Sequence, residues 1–275
     1  MYLEIINENA EQSLTDLLQD WAIPRKVRHF LRTKKHVTVN GEKVPFHTIV
    51  SKGAVVGLTF DEEDYPFHQV IPNAFIPVEV LYEDEHILVV NKPCGIKTHP
   101  NQPNENNTML NAVAAYMNGH PYVVHRLDKE TSGALLFAKN PVVLPLLGRQ
   151  LEDKTMYREY EALAKGTLTH DFTCRQPIGK DRHDKRKRCV AKNGQPAVTH
   201  VEIIKTEKNA TRIRCRLETG RTHQIRVHLA STGHPLVGDP LYGQPAKRLY
   251  LHAAQLTFFH PFLQQKMTIT CPTPF

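Results

Sequence analysis

A mixed α+β protein in two units is what this sequence predicts, on three observations. Residues 1–60 read as helix, helix, hairpin and strand. Residues 61–77 have no period. Residues 78–275 are dominated by strand-like runs broken by a few helices, without the strand–helix alternation of a doubly wound sheet. In chain order, Ser13 is placed to N-cap a helix with Leu14, Leu17, Leu18 and Trp21 on one face. A second helix begins at Pro24, whose fixed φ and missing N–H suit a first turn, and turns Val27, Phe30 and Leu31 inward. Residues 36–44 alternate like a strand and reverse at Asn40-Gly41, a dipeptide that accepts the left-handed backbone of a tight hairpin. A short strand over 54–60 closes this unit. Residues 61–77, with four acids between Asp61 and Asp64 and prolines at Pro66, Pro72 and Pro77, read as a linker.

In the larger unit, residues 78–82 and 87–91 form a strand pair around the turn 83–86. Thr108 caps a helix with Leu110, Val113, Ala114 and Met117 on one face. Strands follow at 123–124 and 134–138. Asn140-Pro141 then opens a helix carrying Val142, Val143, Leu146, Leu147 and Leu151. Further strands fall near 157–164, 198–205, 211–217 and 267–270.

The 275 residues, 40% apolar and 23% charged, suffice for one large or two smaller cores. No apolar run approaches the roughly 18 residues of a membrane span. The start, Met1-Tyr2-Leu3-Glu4, has neither a basic nor an apolar leader segment, so a cytoplasmic protein is expected. Five cysteines, at 94, 174, 189, 215 and 271, are scattered without a C-x-x-C pair, and 16 histidines are dispersed. That pattern argues against a disulfide framework and a metal site. Absent too are H-E-x-x-H, G-x-x-x-x-G-K-[ST], G-x-G-x-x-G and G-x-S-x-G.

Net charge is +7, and its distribution says more than its sum. Arg25, Lys26, Arg28, Arg32, Lys34 and Lys35 lie within eleven residues that contain no acid, and Arg25, Arg28 and Arg32 fall on neighbouring turns of the second helix. A second basic run, 180–188, includes Lys185, Arg186, Lys187 and Arg188. Both can pair with phosphates and release counterions. Both are also what a solvated basic helix or loop looks like.

The most informative stretch is 125–133, H-R-L-D-K-E-T-S-G, followed directly by an apolar strand. A carboxylate among cationic neighbours suits nucleophilic or base chemistry on a sugar or nucleobase; a surface turn whose Asp128 caps local amides is the plainer alternative. The nine residues resemble the H-R-L-D-x-x-T-S-G signature of the RluA-type RNA pseudouridine synthases. Four further segments resemble the same family in the same order. They are N-K-P-C-G at 91–95, R-E-Y-E-A at 158–162, G-R-T-H-Q-I-R-V-H at 220–228 with G-H-P-L-V-G-D-P-L-Y-G after it, and L-H-A at 251–253. Arg158 stands where the family often has Lys. The N-terminal pattern, with its V-x-V-N-G turn, resembles the S4 RNA-binding domain.

The resemblance implies an α+β catalytic domain over 78–275 with a long mixed or antiparallel sheet cleft by the active site, an S4-like domain over 1–60, and isomerisation of uridine to pseudouridine. It assigns catalysis to Asp128, as nucleophile, base or electrostatic stabiliser. It pairs Arg226 with that carboxylate, stacks Tyr160 on the base with a part in proton removal at C5, and lets Arg126 displace the flipped base. His125 either touches a phosphate or supports the loop. Lys92 and Arg221 meet phosphates or serve as structural ion partners, and Thr131-Ser132-Gly133 shapes the turn. The isomerisation neither adds nor removes atoms, so no cofactor and no metal are expected. The expected partner is RNA, ribosomal or transfer, with the protein acting as a monomer. The rival expectation is a noncatalytic RNA-binding or ribosome-assembly factor. A weaker one is another base- or sugar-modifying enzyme.

Overall fold

The computed structural model describes residues 2–61, 70–263 and 265–275. The N-terminal unit runs β1 (Tyr2–Ile6), β2 (Gln12–Ser13), α1 (Leu14–Asp20), α2 (Arg25–Thr33), β3 (Val37–Val39), β4 (Glu42–Lys43), β5 (Ile49–Val50) and β6 (Val55–Thr59). Its main sheet has the order β1-β6-β3-β4 and is antiparallel throughout. Ser13 caps α1 as expected, its hydroxyl accepting from the Asp16 amide. Asn40 and Gly41 both take positive φ (50° and 85°), the backbone that the hairpin needs. Pro24 sits one position earlier than expected, at the N-cap. Phe30 is only half-buried, flanked by the Lys26 and Lys34 ammonium groups at 5.6 and 5.8 Å from its ring centre. Strand β1, which the sequence reading leaves unassigned, buries Leu3 and Ile5 and exposes the alternate residues.

Of the linker, residues 62–69 lie outside the described residues. Residues 70–77 carry no regular element, yet they are tied to the larger unit. Asn111 donates to the Ile71 carbonyl, and Asn73 bonds to the Asn106 and Asn111 carbonyls.

The larger unit runs β7 (Val80–Glu83), β8 (Ile87–Lys92), α3 (Met109–Met117), β9 (Tyr122–Val123), β10 (Ser132–Ala138), α4 (Val143–Glu152), β11 (Tyr157–Lys165), β12 (Phe172–Cys174), β13 (Ile178–Lys180), β14 (Arg188–Val190), β15 (Thr199–Thr206), β16 (Ala210–Leu217), α5 (Gln224–Ser231), β17 (Leu251–Phe259) and β18 (Lys266–Thr270). Ten of these strands form one sheet, with the path β12-β15-β16-β11-β17-β10-β8-β7, β18 beside β17 and β9 beside β10. Thr108 caps α3 with Asn111 as its reciprocal partner, and Asn140 accepts from the Val142 and Val143 amides to start α4. The sheet is covered on both faces. Ile87, Val89 and Leu136 pack toward α4, whereas Leu88, Val90 and Leu135 pack toward α3. At one edge the Trp21 ring of the N-terminal unit meets Phe262 edge-on at 6.4 Å, making that apolar core continuous with one face of the sheet. Among the described residues, no helix is long and apolar enough to cross a membrane.

All pairings in the large sheet are antiparallel except one, β10 with β17, where Ser132 faces His252 and Gly133 faces Ala253. Here two halves of the sheet join. Ser132 Oγ and His252 Nδ1 lie 2.8 Å apart across the join, which ties the T-S-G and L-H-A segments together. Gly133 takes φ +112°, and a Cβ there would lie 2.6 Å from the Ala253 nitrogen. Gly133 is therefore a sheet residue at a close backbone approach, not only part of a turn. Gly133→Ala is expected to cost roughly 2–3 kcal/mol from strain and displacement, read as a lowered urea midpoint; an unchanged midpoint would refute the close approach.

Candidate active site

Asp128 lies in the loop between β9 and β10, and the segment after β8 holds that loop from below. The Thr98 hydroxyl donates to the Leu127 carbonyl (2.8 Å) and accepts from its amide (3.1 Å). The Gly95 amide and the Lys92 ammonium both donate to the Lys129 carbonyl, and Lys92 also reaches the Pro93 and Ile96 carbonyls. The Asp128 carbonyl accepts from the Thr131 amide and closes the turn. The N-K-P-C-G segment thus holds the Asp loop: one buried ammonium gathers the Pro93, Ile96 and Lys129 carbonyls, and the Gly95 amide shares the last of them. Burial pushes the Lys92 pKa down to about 8. The alternative of a Lys92–phosphate contact is overturned, because the side chain is fully buried and spent on carbonyls. His125 is corrected likewise. It is buried, accepts from the Leu136 amide at 3.2 Å, and burial pushes its pKa down to about 3. It supports the loop as a neutral ring and presents no cation to RNA.

Helix α5 brings the cation. Its first residue, Gln224, is satisfied at both ends, accepting from the Arg221 amide and the Thr219 hydroxyl and donating to the Val198 carbonyl and Thr199. One turn on, His228 bonds Thr199 and the Gln176 carbonyl. Between these anchors Arg226 turns the other way. Its Nε and Nη2 make a two-point contact with Asp239, both at 2.8 Å, and its Nη1 donates to Asp128 Oδ2 at 3.3 Å. Arg226 is 2% exposed and Asp239 fully buried, while Asp128 is 24% exposed at its side chain. Burial opposes the Asp239 charge, but Arg226 and the Leu241 and Tyr242 amides outweigh it and hold the carboxyl below its ordinary range. Burial likewise opposes the Arg226 charge, and Asp239 and Asp128 together raise its pKa. Asp239 is the residue that sequence reasoning gave no role. Its signal was a lone acid in the G-D-P-L-Y-G turn.

Tyr160 comes from β11, where the register with β17 shifts between Glu159 and Tyr160. The extra residue, Ala254, lies on β17 opposite this step. Tyr160 is buried, and burial raises its pKa, so the phenol stays protonated. Tyr160, Asp128, Arg126, Arg158, Arg221, His223, Arg226 and Leu251 line a cavity of about 570 Å3, ample for a nucleoside. Arg158, named above only as a departure from the motif, reaches this cavity because Gly220 leaves room: a Cβ there would sit 2.7 Å from its Nη1. A second cavity of about 460 Å3 opens on the other side of Asp128 and shares Arg126, His223 and Arg226.

The basic residues sort into three groups. Arg25, Arg28 and Arg32 do share one face, together with Lys26, His29 and Phe46. Lys34 is turned aside to Asp61 at 2.7 Å, and Lys35 lies in the αL backbone after α2. The run at 180–188 is a β-hairpin whose tip is closed by two acids. Asp181 accepts from the His183 and Asp184 amides, and Asp184 accepts from the Arg186 amide and guanidinium. Lys185 and Arg186 are exposed, Lys187 and Arg188 half-buried, and Arg186 lines the second cavity. Arg126 is exposed between both cavities. Arg221, half-exposed at the rim of the first cavity, donates to the Pro196 carbonyl.

A carboxylate in contact with a buried guanidinium, in a nucleoside-sized cleft that Tyr160 also lines, suits an enzyme that acts on a base or sugar. Comparison with known proteins narrows the class. Residues 86–231 match the family described as RNA pseudouridylate synthase, and residues 1–56 match the RluD ribosomal pseudouridine synthase N-terminal domain. The chain is 38% identical over 284 residues to the uncharacterized RNA pseudouridine synthase YhcT of Bacillus subtilis (strain 168), covering 99% of this chain and 90% of that one. It is 35% identical over 297 residues to the ribosomal large subunit pseudouridine synthase D of Vibrio parahaemolyticus, with 98% and 88% covered. The solved structure of human RNA pseudouridylate synthase domain containing 1 superposes with a TM-score of 0.65 at 26% identity, over 74% of this chain and 86% of that chain. The protein belongs to the RNA pseudouridylate synthase family, and it is an isomerase of the pseudouridine synthase class with the α+β fold of that family.

Proposed function

We propose that the protein converts specific uridines of large-subunit ribosomal RNA to pseudouridine in the cytoplasm, with Asp128 as the residue that acts at the sugar. The observation that carries this reading is the Arg226–Asp128 contact at the wall of the cavity that Tyr160 lines. The reaction breaks N1–C1′, turns the freed base and joins C5 to C1′; the C5 proton leaves and N1 gains one. Asp128, in contact with Arg226 at 3.3 Å, supplies the negative charge next to C1′. Tyr160 offers a ring face to the uracil, and its protonated phenol can relay the C5 proton. Duplex RNA hides C1′, so the uridine must leave its stack. Arg126, exposed between the two cavities, fits the vacated place. The Arg25, Arg28 and Arg32 face, with Lys34 and Lys35 near it, adds backbone affinity without base selection. Lys185, Arg186, Lys187, Arg188 and Arg221 extend the positive rim beside the cleft.

Relatives named for the large ribosomal subunit support the choice of RNA. Its test is tritium release from C5-labelled RNA of cells lacking the protein, with large-subunit RNA, small-subunit RNA and tRNA offered separately. Release from the large-subunit RNA alone is expected. Release from tRNA alone would move the substrate, and binding without release from any pool or from ribosomal precursors would favour a noncatalytic RNA-binding factor.

A further inference from the structure

His223 is not used by the reading above, yet it faces the same carboxylate oxygen as Arg226. His223 is the N-cap of α5, and Arg226 lies in its first turn. Arg226 Nη1 lies 3.3 Å from Asp128 Oδ2, and His223 Nε2 lies 3.8 Å from it. The other ring nitrogen, Nδ1, is 2.9 Å from the Tyr242 hydroxyl, and that oxygen accepts from the Arg188 amide at 2.7 Å. We propose that His223 is a positioning residue for Asp128, its Nε2–H aimed at the carboxylate by the chain Arg188 amide, Tyr242 hydroxyl, His223 ring. This rests on the assignment of Asp128 as the reacting carboxylate.

One arrangement of the protons gives every donor in this chain an acceptor. The Arg188 amide can only donate, so the Tyr242 oxygen accepts from it. The phenol proton then goes to His223 Nδ1. That leaves the ring proton on Nε2, facing Asp128. The opposite tautomer would aim a lone pair at the carboxylate and leave the phenol proton without a partner in this chain of contacts. Burial lowers the His223 pKa, Asp128 opposing, which favours the neutral ring that this tautomer requires. The Tyr242 ring is itself fixed, lying under the Arg226 guanidinium at 5.2 Å and edge-on to His223.

What the second donor adds is orientation. One donor holds a carboxylate oxygen but leaves its plane free to turn. Donors from two directions on Oδ2 fix the plane and leave Oδ1 for the sugar. The gap of 3.8 Å closes to a hydrogen bond by a small turn of the carboxylate, as such contacts do when substrate is bound. His223 reaches this place only by adopting φ 57° at the N-cap, a backbone that non-glycine residues hold at a cost.

That backbone suggests the test. Asn tolerates the αL region well and keeps a polar atom near the Nδ1 position, toward Tyr242, but it is too short to reach Asp128. Gln places an amide N–H near the Nε2 position. Steady-state tritium release is measured for His223→Asn, His223→Gln and Asp128→Asn, with melting curves for each. His223→Asn is expected to lower kcat about 10–100-fold, as loss of an orienting partner does, with KM within about threefold and the melting curve near wild type. His223→Gln is expected to recover most of the rate. Wild-type kcat in His223→Asn, equal losses in both variants, or a loss confined to KM would overturn the proposal. Activity in Asp128→Asn would instead overturn the assignment of Asp128, which separates the two failures.

Discussion

Asp128→Asn is expected to abolish tritium release, by at least about 10³-fold in kcat, while RNA affinity and the melting curve stay close to wild type. The asymmetry follows from geometry. Asn has the shape of Asp, and Asp128 is partly exposed and holds a single 3.3 Å contact to Arg226. The loop itself is held by backbone groups, Thr98 to Leu127 and Lys92 to Lys129, which the substitution leaves alone. Little stability therefore depends on the carboxylate charge. In the proposed mechanism the chemistry depends on it entirely, because an amide can neither attack C1′ nor stabilise a cationic sugar. Release at wild-type rate would remove Asp128 from the reaction.

Arg226→Met is expected to fail differently. The substitution leaves Asp239 fully buried with two amide donors and no counter-charge. Removing one partner of a buried ion pair costs about 3–5 kcal/mol, so the urea midpoint should fall well below that of Asp128→Asn. Activity should fall as well, since Asp128 loses its nearest cation. Arg226→Lys should not restore either property in full, because one ammonium cannot make the two-point contact to Asp239 and still reach Asp128. An unchanged midpoint in Arg226→Met would show that Asp239 is not held by this guanidinium in solution.

Most of the local structure was legible because local chemistry dictates it. Ser13 and Thr108 cap the helices that follow them, Asn140 takes the Val142 and Val143 amides just ahead of α4, Asn40-Gly41 turns its hairpin, and the apolar run Ile87 to Val90 forms a strand that is covered on both faces. Strand β17 was legible only as the L-H-A element, although it lies at the centre of the sheet. Helix α5 escaped periodicity because it is buried all round. Gln224, Arg226 and His228 alternate with Ile225, Val227 and Leu229, and every one of these is buried, so no apolar stripe exists to be seen. In the same way, Lys92 and His125 look like surface cations by residue type and are interior supports by position.

The sequence alone nominates the residues proposed to carry the chemistry, since the motif around Asp128, the R-E-Y segment and the H-Q-I-R-V-H segment each bring one member. Their meeting is a tertiary result. Asp128 and Arg226 are 98 residues apart. They meet because β10 and β17 pair in parallel at the Gly133 approach and buried Asp239 sets the direction of the guanidinium. The reason is physical. Caps, turns and alternation are settled among near neighbours along the chain, whereas the placing of a buried charge is settled by partners that only the folded sheet brings into range.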